Sequence, residues 1–512
     1  MKKAIAILLC FLLICTLPAC DVTPEDASSR LLDENDNLTV SDTDDSDYSA
    51  IDEEFEIKTS GTDAAASNPA SNSGSGVSES ATAATSSQAN VPTGTTPPAD
   101  QTDHSSVATS SSTTTPEKMD DDTLPQITVN LTQQTVSDSA YAVFEGSTLR
   151  ILKCADFSLT GNFYGCIEAS LGYNEVLRLR MAGVNLLNTT GPVIKVLNLV
   201  SDEKNDNIAN NPEDESSIAG DQQTEYDQPD LILSFTEGTT NTLQVKDCNL
   251  SDMIGTVYSE CSLSIRGHGQ GTIQNANQNA IHCLKSVEVR NVELTLLAPA
   301  GRGVYTKARY ENNSGCSVKI SAYRDAIKCD KFYMYGGTLL ACSQKNDAID
   351  AEDRAIITGG LLIADTADIS SNYGIKVRRI LENQVRADKY DTFEISGGTV
   401  LASGGFNTKP DAATTTAAYL LLDNSQINAA DQYAIKAASG NTVTAFSTAA
   451  ARPSVLIVSP ALNDGSYQLW RGGTVSGATE YLLRDQIIQF ASGLYSGGSY
   501  SGGKSVASVT TN

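Results

Sequence analysis

Residues 325–366 read DAIKCDKFYMYGGTLLACSQKNDAIDAEDRAIITGGLLIADT, and the second half of this stretch repeats the first. Each half opens with Asp-Ala-Ile, continues to a Gly-Gly pair and closes with a short aliphatic run. Related openings occur at Asn279, Arg302, Asp325, Asp347, Tyr373 and Tyr433, with spacings of 23, 23, 22, 26 and 60 residues. A repeat of this length indicates a solenoid, in which each copy is one structural unit stacked on its neighbours.

The segments between the Gly, Asn and Asp positions are short and rich in β-branched and aromatic residues. This composition predicts strands joined by turns, and it leaves no room for the helix that leucine-rich repeats of similar period usually carry. Three short strands and three turns per copy make a parallel β-helix whose rungs stack about 4.8 Å apart. The sequence therefore predicts an all-β solenoid with rungs of 22–23 residues.

Stacked rungs place equivalent residues in columns. Because side chains alternate along a strand, the third and fifth residues of each opening are predicted to point inward and the fourth outward. The inward columns are Ile281, Val304, Ile327, Ile349, Ile375 and Ile435, followed by Cys283, Thr306, Cys329, Ala351, Val377 and Ala437. The outward column is His282, Tyr305, Lys328, Asp350, Lys376 and Lys436.

Eight cysteines follow residue 20, an even number that an exported protein could pair. Cys283 and Cys329 lie two rungs apart, roughly 9.6 Å, which exceeds the ~7 Å Cα separation of a disulfide. We therefore interpret them as packing residues, and a bridge between Cys154 and Cys166 remains open. A zinc-type metal site is not expected, because the chain has three histidines and no Cys-x-x-Cys motif.

The N-terminus is predicted to carry an export signal. Lys2 and Lys3 precede an apolar stretch, residues 4–15, that is shorter than the ~20 residues of a membrane span. The following Leu-Pro-Ala-Cys resembles a bacterial lipobox, so residues 1–19 are predicted to be a signal peptide and Cys20 the lipidated residue. We expect an exported protein held by this lipid alone at the bacterial cell envelope, facing the surface or the periplasm. Ordinary cleavage and free secretion is the alternative.

Residues 20–125 are predicted to be a disordered linker. Residues 21–58 hold fourteen acidic and two basic side chains, and Ser, Thr, Ala and Pro dominate the rest. Such a composition buries too little apolar surface to offset chain entropy. The folded part is assigned to 126–512, with an acidic surface loop at about 201–229. The net charge of −27 argues against a nucleic-acid partner, and we expect a monomer.

Charged residues in the outward columns have two interpretations. Lys328 over Asp350 and then Lys376 can form a ladder of cross-strand pairs, each contributing about 0.2–1 kcal/mol. Alternatively, stacked carboxylates repel one another unless a cation lies between them, and calcium binds six to eight oxygens. The candidate calcium ligands are Asp325, Asp347, Asp350 and Asp353.

Several further segments resemble a known family. EGSTLRILKCADFSLTGNFYGCIEA (145–169), LSIRGHGQGTIQ (263–274) and YQLWRGGTVSG (467–477), together with the Asp-Ala-Ile and Gly-Gly-Thr rungs, are similar to a family of bacterial surface carbohydrate-binding proteins over about 145–480. The resemblance implies a right-handed parallel β-helix, related in fold to family 9 pectate lyases, that binds calcium and plant cell-wall polysaccharide, with affinity for cellulose and for acidic pectic glycan.

The family's Asp-Gly-Ile openings match Asp325-Ala-Ile and Asp347-Ala-Ile, which carries calcium ligation onto those two aspartates. Arg302, Tyr373 and Tyr433 replace aspartate at other openings, so the resemblance implies fewer calcium ions in this chain than in the family pattern.

Three functions follow from these observations. The favoured one is binding without catalysis, in which tyrosines stack on sugar rings and basic residues meet uronate carboxylates. The candidate binding residues are Tyr305, Lys307, Lys328, Tyr373, Lys376 and Arg378. The alternative is a calcium-dependent pectate lyase in which Lys328, or Lys376, takes the proton α to a carboxylate. A structural spacer with no ligand is the third possibility.

Overall fold

The computed structural model describes residues 123–199, 229–246, 255–378, 392–482 and 492–512. All of them belong to one compact unit, Val107–Asn512. The predicted signal peptide, Cys20, the linker up to residue 122 and residues 201–228 of the acidic loop lie outside the described residues. None of the described residues forms a helix with the length and hydropathy that a membrane span requires.

Three ladders of parallel strands wind around a common core. The first sheet contains β4 (Thr148–Ile151), β6 (Cys166–Leu171), β8 (Ile194–Asn198), β11 (Val257–Ser259), β14 (Ile281–Cys283), β17 (Val304–Thr306), β20 (Ile327–Met334), β22 (Ile349–Ile357) and β24 (Ile375–Val377). The second contains β1 (Gln126–Asn130), β5 (Asp156–Tyr164), β7 (Val176–Asn188), β9 (Asp230–Phe235), β12 (Ser262–Arg266), β15 (Val287–Val289), β18 (Arg309–Asn312), the later halves of β20 and β22, and β25 (Phe393–Ile395).

The third sheet contains the later halves of β5 and β7, then β10 (Thr240–Val245), β13 (Gln270–Asn275), β16 (Glu293–Ala298), β19 (Ser317–Ala322), β21 (Thr338–Ser343), β23 (Leu361–Thr366) and β26 (Thr399–Gly404). Short antiparallel strands β2 (Thr135–Val136) and β3 (Ala142–Glu145) lie at the start, and β27 (Tyr419–Asp423) and β30 (Ser454–Val458) follow β26. A closed antiparallel barrel is built from β28 (Asp431–Lys436), β29 (Thr442–Thr448), β31 (Ser466–Tyr481) and β32 (Ser492–Thr510).

The predicted parallel β-helix is confirmed, and so is its register through five rungs. Ile281 pairs with Val304, then Ile327, Ile349 and Ile375 follow in the same column, and all five are buried. Cys283 and Cys329 are buried free thiols, as expected for packing residues, and burial raises the pKa of Cys283 to about 12. Cys154 and Cys166 are also free.

The Gly-Gly pairs of the repeat are turns that need glycine. Gly337, Gly360 and Gly398 have φ values of +71°, +84° and +88°, a region that side chains with a Cβ rarely adopt. Successive turns also stack closely, since a Cβ on Gly360 would lie 2.7 Å from the carbonyl carbon of Gly336. The second glycine of the doublet is therefore required by the backbone conformation, and at Gly360 also by the rung below.

The assignment of Tyr433-Ala-Ile-Lys as a sixth rung is wrong. These residues form β28, which pairs antiparallel with β29 and β31 and buries Tyr433 and Ile435 in the barrel core. The stretch was mistaken for a rung because the same alternation of apolar and polar residues suits any half-buried strand. Lys436 and Ala437 therefore do not continue the predicted columns, and the parallel coil does not extend to residue 512.

The position predicted for Tyr433 is occupied by Phe406. Tyr373 forms an isolated parallel bridge with Phe406. The amide of Gly374 donates to the carbonyl of Phe406 at 3.1 Å, and the amide of Thr408 donates to that of Ile375 at 2.9 Å. The coil thus adds one irregular turn beyond Tyr373, with an aromatic residue at its opening.

Candidate functional site

The residues that open successive rungs are tied together by their side chains. Asn279 Oδ1 accepts the amide of Arg302 at 2.9 Å, Asp325 Oδ1 accepts that of Asp347 at 3.1 Å, and Asp347 Oδ1 accepts that of Tyr373 at 2.7 Å. Each short polar side chain therefore satisfies the first amide of the next rung. This arrangement holds Asp325 and Asp347 in fixed positions and leaves their second carboxylate oxygens for other partners.

Those two residues and Asp350 bring three carboxylates together, here named the carboxylate cluster. The three side chains are buried, and each offers an oxygen that lies within 4.8 Å of the others. Asp350 comes from the outward column of the first sheet, and β20 and β22 hold the rung openings side by side. Among the described residues this group does not include the fourth predicted ligand, Asp353, which is half-buried later in β22.

Each carboxylate of the cluster has a basic partner. Arg302 Nε lies 2.9 Å from Asp325 Oδ2, and Lys376 Nζ lies 3.2 Å from Asp347 Oδ2. The Arg378 guanidinium binds both oxygens of Asp350, with Nε at 3.0 Å and Nη2 at 2.7 Å. These three residues, named the basic partners, balance the charge of the three aspartates.

The predicted charge ladder has the expected register but different ion pairs. Lys328 stands opposite Asp350 and Asp350 opposite Lys376 in the paired strands. The Lys328 ammonium nevertheless lies 3.4 Å from Glu352, while Asp350 is bound by Arg378. The Lys328–Asp350 ion pair expected from the sequence does not form, because both long basic side chains reach past their direct neighbours.

Burial and the neighbouring acids raise the pKa of Asp347. Desolvation by burial raises the pKa of its carboxyl to about 6, Lys376 opposes that rise, and the neighbouring Asp350 and Asp325 carboxylates add to it. The hydrogen bond to Asp350 raises the pKa of Arg378, which therefore stays charged. An all-oxygen set of donors at this spacing suits a hard cation such as calcium, so the residues present fit the ion that the resemblance implies.

A row of aromatic rings lies on the rungs that precede the carboxylate cluster in the chain. The rings of Tyr258 and His282 stack at 5.7 Å, those of His282 and Tyr305 lie 4.6 Å apart, and the Arg302 guanidinium lies 5.5 Å from the Tyr305 centroid. Tyr258 and His282 were not predicted as site residues. His282 lies one rung before Tyr305 and Tyr258 lies two rungs before it. All three occupy the outward column, and this position could have revealed the two residues.

The remaining predicted binding residues, Tyr373 and Lys307, belong to the rungs on either side of the Asp325 and Asp347 rungs. Tyr373 is half-buried, with Lys376 Nζ at 5.5 Å from its ring centroid and the ring of Phe406 at 5.2 Å. Phe406 was missed because its rung lacks the Asp-Ala-Ile pattern. Lys307 is exposed just beyond β17, away from the carboxylate cluster along the strand direction. The first sheet thus presents aromatic, acidic and basic side chains in one continuous strip.

The chain resembles two solved structures at low sequence identity. Among solved structures, the chain is similar to a polysaccharide lyase-like protein from C. thermocellum, with 14% identity, coverage of 57% of this chain and 98% of that chain, and a TM-score of 0.30. It is also similar to the tailspike protein of Acinetobacter baumannii phage AM24, with 10% identity, coverage of 70% and 77%, and a TM-score of 0.21. No curated protein matches the sequence. Residues 226–404 match the family model of carbohydrate-binding domain-containing proteins.

Proposed function

We propose that this protein binds an acidic plant cell-wall polysaccharide on the outer face of the first sheet, together with calcium and without cleaving the polymer. The observation that carries the proposal is a coincidence of position. The carbohydrate-binding family match spans residues 226–404, and the carboxylate cluster and all its basic partners lie within that span.

Charge balance explains why metal and sugar would bind together. The carboxylate cluster carries three negative charges and its basic partners three positive ones, so the site is neutral without a ligand. A calcium ion held by Asp325, Asp347 and Asp350 adds two positive charges, which a pair of uronate carboxylates would neutralise. Each ligand therefore raises the affinity for the other, and by linkage the effect is reciprocal.

The basic partners then have a second role. Lys376 is a quarter exposed and Arg378 slightly more so, and both reach solvent at the edge of the cluster. When calcium neutralises the aspartates, these two side chains are released to meet uronate carboxylates, for which the arginine fork offers two parallel hydrogen bonds. Lys307 and Lys328 extend the basic surface across neighbouring rungs.

The proposal also includes a location at the bacterial cell envelope. With a lipid on Cys20 and a linker before the coil, the protein would hold polysaccharide at the bacterial cell envelope. Labelling with a radioactive fatty acid, lost in Cys20→Ser, tests the anchor independently of sugar binding.

The central experiment measures binding of the purified protein to polygalacturonate by co-sedimentation and calorimetry, with calcium and with a chelator. Expected is calcium-dependent binding that falls when the polymer is methyl-esterified, because esterification removes the carboxylates. Binding to no glycan in the presence of calcium would contradict the proposal and favour a ligand-free structural spacer. Equal binding in the presence of the chelator would show that calcium is not required, and the calcium part of the proposal would then be wrong.

A second candidate, calcium-dependent β-elimination, is favoured by one contact. Lys376 lies against the carboxylate cluster, where a base would need to be, whereas the predicted Lys328 turns toward Glu352. A lysine must be neutral to take a proton, and both lysines form ion pairs here, so binding is proposed first. The absorbance of unsaturated uronate products separates the two functions: a rise that disappears in Lys376→Ala would establish a lyase.

A further inference from the structure

Phe406 exposes 48% of its surface at the opening of the last turn of the first-sheet face. We propose that its ring is a stacking platform for one pyranose ring of an acidic polysaccharide, next to the carboxylate cluster. The inference rests on the proposed function and adds to it a specific subsite. A single exposed phenylalanine is ordinary on a protein surface, so the inference depends on the neighbours of the ring, Tyr373 and the adjoining Lys376–Asp347 pair.

The backbone around Phe406 is held rigidly. The amides of Gly405 and Phe406 both donate to the carbonyl of Asn372, at 2.9 and 3.1 Å, and Asn407 Oδ1 accepts the amide of Ile375 at 3.0 Å. Close packing depends on glycine, because a Cβ on Gly405 would lie 2.3 Å from the carbonyl oxygen of Ile369. The ring is therefore presented from a fixed turn, which lowers the entropy lost when a ligand binds.

The surroundings of the ring match an acidic sugar. Its neighbour Tyr373 lies 5.2 Å away at an angle of 33°, and Lys376 lies 5.5 Å from the Tyr373 centroid and 3.2 Å from Asp347. A uronate pyranose has an apolar face of C–H bonds and a carboxylate at its edge. Stacking of that face on Phe406 brings the carboxylate, of the same or the adjacent sugar, toward Lys376.

Other aromatic residues of the strip are less available. The faces of His282 are covered by Tyr258 and Tyr305, and Arg302 lies over the Tyr305 ring. Tyr373 is flanked by Lys376 and Phe406. Within the described part of this strip, Phe406 is the ring with the largest exposed area, and it is the one we assign to the sugar.

The test compares Phe406→Ala with Phe406→Trp and with the control Tyr335→Ala, whose ring is 44% exposed beyond the second-sheet half of β20. Binding of oligogalacturonates in calcium is measured by calorimetry, and folding by thermal unfolding. Phe406→Ala should weaken binding about tenfold with an unchanged unfolding temperature, whereas the tryptophan variant and the control should bind as the unsubstituted protein does.

The possible failures are distinguishable. Absence of binding by the unsubstituted protein would overturn the proposed function and the subsite with it. Normal binding by Phe406→Ala, when the unsubstituted protein binds, would overturn the subsite alone. An equal loss in Tyr335→Ala would also overturn the assignment, because affinity would then follow exposed aromatic area in general.

Discussion

Two buried ionic groups in this molecule differ in how their charges are satisfied. Asp365 and Arg452 form a single pair, with both side chains almost completely buried and a contact of 3.2 Å. Asp365 also accepts the amide of Ser492 at 3.2 Å and the hydroxyl of Ser403, so one carboxylate is surrounded by donors. Because Ser403 belongs to β26 and Ser492 begins β32, the group links the third sheet to a strand of the barrel.

The carboxylate cluster has the opposite character. Three acids lie within reach of one another, and burial together with their mutual repulsion disfavours the ionised form of Asp347. A single carboxylate surrounded by donors is satisfied by the fold, whereas crowded carboxylates cost stability that their basic partners offset only in part, since the pKa of Asp347 stays raised. The two groups are equally buried and differ in the number of like charges, and for that reason the carboxylate cluster, not the Asp365 pair, is the candidate cation site.

Removal of one partner of the structural pair should have the largest effect. Arg452→Ala leaves Asp365 buried with its charge uncompensated, and we expect a loss of about 3–5 kcal/mol in the free energy of unfolding. Urea unfolding followed by circular dichroism measures the change. The double variant Asp365→Leu/Arg452→Met should recover much of the loss. A loss below about 1 kcal/mol in the single variant would contradict a structural role for the pair.

Removal of one charge from the carboxylate cluster should instead raise the free energy of unfolding. The pKa of Asp347 is raised from 3.8 to about 6, so between these pH values the unfolded chain ionises while the folded one keeps its proton. Stability therefore falls as the pH rises through this window, and the deficit is complete above it. Asp347→Asn should raise the free energy of unfolding by about 1–3 kcal/mol at pH 7 without calcium and abolish this pH dependence.

Addition of calcium tests the proposed function of the same residue. In the unsubstituted protein, calcium should raise the unfolding temperature, because an ion that binds only the folded state stabilises it. Asp347→Asn should lose that response together with calcium-dependent sugar binding, whereas the control Asp353→Asn should keep both. A destabilised Asp347→Asn protein would show that the cluster, like the Asp365 pair, serves the fold.

The sequence predicted the coil because its signal is periodic. Ile281, Val304, Ile327 and Ile349 fill one inward column, and a glycine turn follows each of the later rungs, so register and fold could be derived together. The irregular last turn, which contains Phe406, lacks this periodic pattern and for that reason could not be predicted from the sequence. The barrel strand around Tyr433 shares the alternation of a rung, and local sequence alone does not specify its antiparallel partner.

The site was predictable as a set of neighbours but not as a set of contacts. Strand register placed Asp325 beside Asp347 and brought Asp350 close. It did not determine that Arg302 would bind Asp325 or that Arg378 would bind Asp350. Long basic side chains span more than one rung, so their partners depend on the three-dimensional arrangement of all acids within reach.

The smallest expected effect concerns the Lys328–Glu352 ion pair, which forms in place of the Lys328–Asp350 pair predicted from the sequence. Lys328 and Glu352 lie 3.4 Å apart with side-chain exposures of 17% and 41%, so solvent screens much of their attraction. A double-mutant cycle with Lys328→Gln and Glu352→Gln should give a coupling energy of at most about 1 kcal/mol, whereas a cycle of Lys328→Gln with Asp350→Asn should give nearly none. The reverse order would restore the ladder predicted from the sequence. It would also mean that Lys328, rather than Arg378, compensates the charge of Asp350 in solution.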